Sequence, residues 1–209
     1  EGYGPITVAT ARTTLGAIAL VALMILLKRP LPSKDAMRHL MILGPLNTAI
    51  PFSLLSWGQQ FVPSAFAGIS MAALPLFVLP LAHFFSDERL NMRRAVGVVI
   101  GFSGALTLIG PGVLQIGTGM EPMGQLACLL ATLSYAISSI LTRRCPPIDS
   151  ITLAAFTLVT GSVLLIPAML ITEGVPAWSG TRSDFAILFL GFFPTALAAY
   201  LRVTVIRTA

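Results

Sequence analysis

Seven hydrophobic stretches, each about as long as a bilayer is thick, follow one another along this chain with short polar breaks between them. They are Pro5–Leu27, His39–Phe61, Ala65–Phe85, Ala95–Pro111, Met123–Thr142, Ser150–Thr172 and Phe185–Ile206. A hydrocarbon core of about 30 Å needs roughly 20 apolar residues as helix. None of the stretches contains Asp or Glu, and their only Lys or Arg residues are Arg12 and Arg202. Backbone polar groups in lipid must be paired internally. The runs are continuous, unlike barrel strands, which alternate over segments of about ten residues. The chain therefore reads as an all-α, polytopic helical membrane protein. Composition agrees, with 56% hydrophobic and 10% charged residues, where soluble domains carry about 25% charged.

The net charge of +5 does not point to nucleic acid, because the basic residues are spread over the breaks and form no stripe with aromatics between them. They follow topology instead. Lys28, Arg29, Lys34 and Arg38 lie in the first break, Arg89, Arg93 and Arg94 in the third, and Arg143 and Arg144 in the fifth. The second and fourth breaks carry no cation, and the sixth carries Arg182 alone, beside Glu173 and Asp184. The positive-inside rule puts the odd breaks in the cytoplasm, so the N-terminus lies outside and the C-terminus inside, in a cytoplasmic (inner) membrane. An outside N-terminus with no initiator Met and no export signal leads us to expect a chain trimmed at both ends. Cys128 and Cys145 form neither a CxxC pair nor a metal cluster and read as free thiols.

An internal match follows. Leu43-Gly44-Pro45-Leu46-Asn47-Thr48-Ala49-Ile50 aligns with Leu190-Gly191-Phe192-Phe193-Pro194-Thr195-Ala196-Leu197, each a few residues into its span. The preceding spans align with Gly16 opposite Gly161. The first copy enters its span from the cytoplasm and the second from outside, so the two are inverted. Inverted repeats place a substrate site at their interface near mid-membrane. The competing explanation is chance similarity between Gly/Ala/Leu-rich helices.

Between residues 65 and 110 a span ends in Pro75-Leu76-Phe77-Val78-Leu79-Pro80-Leu81. A short loop, Asp87-Glu88-Arg89-Leu90, follows, and then the glycine-rich Gly97-Val98-Val99-Ile100-Gly101-Phe102-Ser103-Gly104-Ala105. This run resembles EamA-type members of the drug/metabolite transporter superfamily, most of all in Glu88 before the helix of Gly97 and Gly101. Arg12 and Thr48-Ala49 also sit where such proteins have them. The resemblance implies ten helices in two inverted five-helix repeats with both termini cytoplasmic. On that template this chain holds helices two to eight. Residues 1–122 would be the first repeat without its first helix, and residues 123–209 the second without its last two.

Candidate substrate-binding residues are Arg12, Asn47, Trp57, Gln59, Tyr135 and Tyr200, the polar or amphipathic groups within spans. Arg12 lies about 10 Å along its helix at 1.5 Å per residue. A cation at helix centre costs roughly 2.5–3.5 kcal/mol, so it either faces a cavity or partner or snorkels to the outer headgroups. Arg202 is expected to snorkel to the inner interface. Asn47 and Gln59, twelve residues apart, are expected to share a helix face. Trp57 and Gln60 suit the outer interface, where Trp is enriched. Glu88 is expected to tie its loop by charge pairs and cap the next helix, and Gly97 and Gly101 to let helices approach closely. His39 and His83 read as headgroup-level residues. Prolines 45, 51, 75, 80, 167 and 194 remove backbone donors within spans and can bend them.

Catalytic, metal and cofactor residues are not expected. There is no HExxH and no Walker A sequence, and Gly101-x-Ser103-x-Ala105 lies in a span with no strand before it. The sequence points to a carrier in the bilayer for a small metabolite or amino-acid-like compound, exporting it by alternating access. With no carboxylate in the spans to relay protons, either coupling uses the missing helices or transport runs downhill as facilitated efflux or exchange, and the second is expected. The alternatives are an intramembrane enzyme acting on lipid-linked substrates, which would need clustered ionisable residues, and a non-transporting scaffold or receptor component, which would lack a central cavity. Oligomeric state is not legible.

Overall fold

The computed structural model describes residues 3–85, 92–109, 118–175 and 182–208, without the side chains of 108–109, 182–184 and 208. Among the described residues there is helix and no strand. The helices are α1 (Pro5–Leu26), α2 (Lys34–Gly44), α3 (Ile50–Gly58), α4 (Ser64–Ala72), α5 (Leu74–Phe85), α6 (Met92–Ile109), α7 (Glu121–Arg143), α8 (Ser150–Thr172), α9 (Arg182–Leu190) and α10 (Ala196–Thr208). Two wide π turns interrupt this pattern, π1 (Pro45–Ala49) between α2 and α3, and π2 (Gly191–Thr195) between α9 and α10.

Among the described residues six helical runs are long and apolar enough to cross a bilayer: Pro5–Leu26, Lys34–Gly58, Ser64–Phe85, Glu121–Arg143, Ser150–Thr172 and Phe185–Arg207. The chain is thus a multi-pass helical membrane protein. The remaining predicted stretch, Ala95–Pro111, is helical as α6 through its described residues. Gly110 and Pro111 lie outside the described residues.

The chain divides into two compact units, Glu1–Ser53 with Leu141–Ala209, and Leu54–Ile140. In the first unit α1 and α8 run antiparallel, with Glu173 just past the end of α8 at the start of α1 and Pro30 past the end of α1 at the start of α8. Residues 151–155 of α8 are all buried, as befits a helix apolar on every side. The core holds Leu20, Leu40, Leu43, Leu153, Leu158 and Val203. Threonines stitch the helices across it. Thr10 donates to the Leu165 carbonyl at 3.2 Å, Thr160 to Leu40 at 3.1 Å and Thr152 to Pro30 at 3.0 Å.

In the second unit Val62, Phe66, Ala67 and Cys128 form the core. Thr132 of α7 donates to the Ser70 carbonyl of α4 at 3.0 Å. Backbones meet most closely at Gly58 and Gly124, where a Cβ on either would lie 2.9 Å from the other's carbonyl oxygen. Gly97 and Gly101, where a close approach is expected, are exposed on α6, and a Cβ on either would meet nothing within 4 Å.

Candidate functional site

The two π turns have a local cause. Proline has no N–H and crowds the carbonyl four residues before it. Pro194 lies inside π2 and gives nothing to Leu190, and the Thr195 hydroxyl donates to that carbonyl at 2.6 Å. Pro51, early in α3, likewise gives nothing to the carbonyl of Asn47. The chain takes a wide turn just before it, and the N–H of Ile50 reaches back five residues to Pro45. Single π turns inside α-helices recur at functional sites.

These turns fall on the two segments that match in sequence, and their packing is reciprocal. A Cβ on Gly161 of α8 would run into the Thr48 hydroxyl of π1. At the aligned positions, a Cβ on Gly16 of α1 would lie 3.2 Å from the Thr195 methyl of π2. Gly44, at the end of α2, faces Thr160 of α8, and its counterpart Gly191 faces Leu15 of α1, whose Cβ would be 2.5 Å away. Each π-turned span therefore rests on the other copy's preceding helix, through the same four positions. For an added Cβ the Gly–Thr approach is a clash at Gly161 and, at Gly16, close but less severe.

Arg12, Asn47 and Tyr200 fall in the first unit. Asn47 is buried on π1 and its Oδ1 accepts from Arg202 Nη1 of α10 at 2.5 Å. Arg202, expected to snorkel, turns to this amide instead, because a charge-assisted bond inside the bundle offsets its desolvation. The Arg12 guanidinium of α1 lies 4.9 Å from the Phe52 ring centroid, a cation–π distance. Tyr200 is half-buried against the core.

Trp57, Gln59 and Tyr135 fall in the second unit. Trp57 meets Phe61 edge-on at 5.0 Å. Tyr135 is buried on α7, where its carbonyl accepts from the hydroxyls of Ser138 and Ser139. Gln59 is exposed in the turn after α3. The expected face shared by Asn47 and Gln59 does not form, because Asn47 is buried on π1 while Gln59 lies past the end of the helix at Gly58. Glu88 lies outside the described residues.

The antiparallel pair is fastened at its ends by two carboxylates just outside the spans. Glu173 accepts from the backbone N–H groups of Ile6 at 2.9 Å and Thr7 at 2.7 Å, capping α1 from 167 positions away. Desolvation pushes its carboxyl up, but the hydrogen bonds from Thr7 and Ile6 outweigh this and hold it below its ordinary range. Asp149 accepts from the N–H groups of Ile151 and Thr152 and pairs with Arg29 at 3.6 Å.

An apolar cavity of about 340 Å³ opens between α1, α8 and α9, lined by Tyr3, Thr7, Thr10, Thr14 and Met169 among others. In the second unit a cavity of about 390 Å³ is lined by Phe66, Ser70, Phe102 and Gln125. Neither takes any of the candidate substrate residues. Among the described residues no group of His, Cys, Asp or Glu is placed to hold a metal. The Thr48, Thr160 and Thr195 contacts and the two carboxylate clamps are missed by sequence reasoning. The Thr-Ala shared by the aligned segments was their one visible signal.

Comparison with known proteins agrees with this architecture. A model of the EamA-like transporter family matches residues 1–110 and 122–209. The chain is 28% identical over 194 residues to the uncharacterized transporter YoaV of Bacillus subtilis, covering 91% of this chain and 66% of that protein. It is 26% identical over 209 residues to the uncharacterized inner membrane transporter YedA of Escherichia coli, covering 99% and 67%. It spans about two thirds of the length of these relatives. A protein crystal structure superposes with a TM-score of 0.76 at 20% identity, over 98% of this chain and 70% of the other, which shares the fold. The chain belongs to the EamA-like transporter family, the EamA type of drug/metabolite transporter.

Proposed function

We propose that the complete protein is a carrier that exports a small polar or amphipathic, amino-acid-like metabolite across the cytoplasmic membrane by alternating access. The observation that carries this reading is the reciprocal packing of the two π-turned spans on the two preceding helices, in a chain of a transporter family. Such an exchange is what a duplicated, inverted fold produces, and the rocking of one repeat against the other is how such folds transport. Matches of the family model on either side of residues 110–122 support repeats at 1–122 and 123–209. Nine cations in the odd breaks against one in the even support an outside N-terminus and an inside C-terminus.

Two arginines and no carboxylate lie within the predicted spans, which favours a substrate with an anionic group, with Arg12 to meet it. The spans of this chain hold no carboxylate to relay protons, which favours movement down the substrate gradient over proton coupling through helices outside this chain. The test is uptake and efflux of a labelled panel of amino acids and metabolites in proteoliposomes of the full-length protein, with Arg12→Ala alongside. Saturable movement that is lost in the variant is expected. No movement of any compound by folded, oriented protein would overturn the carrier reading in favour of a membrane scaffold. A steep dependence on the proton gradient would overturn the downhill mode.

A further inference from the structure

We propose that the hydrogen bond between Asn47 and Arg202 is a latch between the two π-turned spans, and that its release frees α10 to leave the core of the first unit. The latch depends on the carrier reading for its purpose, not for its existence.

Four observations meet here. Asn47 sits on π1 itself, so any change in that turn redirects its side chain. Arg202 is on α10, seven residues past the end of π2, so it moves with whatever π2 permits. A π turn inside a helix has a poorer hydrogen-bond ladder than the α-helix around it and is a natural place for bending. The third observation is that the bond joins a guanidinium to a neutral amide within a predicted span, where the partner of a cation decides its position. That is a two-state element: either Asn47 holds Arg202, or water and another acceptor do.

The last observation is how α10 is attached. It reaches the core through Ala196 and Val203, with Ala199 and Tyr200 half-buried, while Leu197, Ala198, Leu201 and Val205 are exposed. At its far end Arg207 Nη1 donates to the Ile148 carbonyl. Cys145 is buried in the same cluster as Val203, so withdrawal of α10 uncovers a thiol. The molecule therefore carries its own reporter.

The experiment uses the full-length protein in lipid nanodiscs, with Cys145 as its sole thiol, and follows its alkylation by a maleimide. Asn47→Ala and Arg202→Met are each expected to speed labelling roughly five- to tenfold, as loss of one charge-assisted bond shifts the population. The double variant should label more slowly than the product of the two single effects, because the two variants remove one shared bond. Asn47→Asp, which turns the bond into an ion pair, should slow labelling below the parent rate, and it keeps the test valid if a truncating variant fails to fold. Unchanged rates in the folded single variants, or a multiplied effect in the double, would overturn the latch. Labelling as expected without transport of any compound would overturn the carrier reading and leave the latch. Unchanged labelling with transport intact would do the reverse.

Discussion

The antiparallel pair α1 and α8 and the two π turns share one unit and many contacts, yet they are built on opposite plans. The pair is continuous helix over 22 and 23 residues. It is fastened at one end by Glu173 and at the other by Asp149, and joined between them by the Thr10 bond to Leu165. The spans through π1 and π2 are broken at mid-length, with their surplus carbonyls met by threonine hydroxyls. Their lateral hold is glycine contact together with the Thr160 bond to Leu40, the Arg207 bond to Ile148 and the arginine–asparagine bond. The difference shows where a fold of this kind keeps its geometry and where it can change it. Packed, capped helices act as a frame, and interrupted helices are the parts with low-energy alternatives.

The largest effect expected from breaking this division is at the tight glycine contact. Gly161→Ala forces a methyl group into the Thr48 hydroxyl, and overpacking of this kind costs about 1–3 kcal/mol. Gly16→Ala, at the aligned position with contacts of 3.1–3.4 Å, should cost about 1 kcal/mol or less. Adding Thr48→Ala should recover at least half the loss in the first case and none in the second. Unfolding in detergent measures all four, and equal costs at the two glycines would remove the asymmetry between the copies.

Next comes the clamp at the start of α8. Asp149→Ala loses a helix cap and should cost about 1 kcal/mol. Arg29→Ala should cost under about 0.5 kcal/mol, because its side chain is 45% exposed and surface pairs contribute little. A reversed order would make the ion pair, rather than the cap, the fastening.

The smallest effect is at Glu173, and it depends on pH. Its carboxyl is held below the ordinary value of 4.5. Its contribution is therefore fully present above about pH 4.5 and is lost as pH falls through the lower, folded value. Glu173→Gln should lower thermal stability at neutral pH, and parent and variant should converge in acid. A gap that stays constant into acid would mean the carboxylate charge is not what holds α1.

Hydropathy made the membrane architecture legible because a bilayer imposes one length scale on every span. The same averaging explains the misreadings. A π turn changes which carbonyl an N–H reaches without changing how apolar the segment is, so the aligned Gly44 and Gly191 segments could be matched but not seen as interrupted. The end of the helix at Gly58 leaves Gln59 in a turn, off the helix that would have carried it beside Asn47. Arg202 was assigned to the headgroups by its distance along the chain, and its bond to Asn47 depends on two spans meeting, which one span's sequence does not encode. Gly97 and Gly101 carry the Gly-x-x-x-Gly spacing, but the close approaches use Gly44, Gly58, Gly124, Gly161 and Gly191, none of which has a second glycine four residues away. Glu173 looked like loop charge because its acceptor role involves residues 167 positions away.

A frame of this kind reserves motion to the π-turned spans while α1 and α8 stay fixed. The most direct measurement is residue-resolved amide hydrogen exchange of the full-length protein in nanodiscs, comparing residues 45–53 and 191–199 with residues 9–20 and 153–165. The account predicts that the first two segments exchange at least tenfold faster than the second two, as expected for locally opening elements. Equal protection in all four, or faster exchange in α1 and α8, would contradict it.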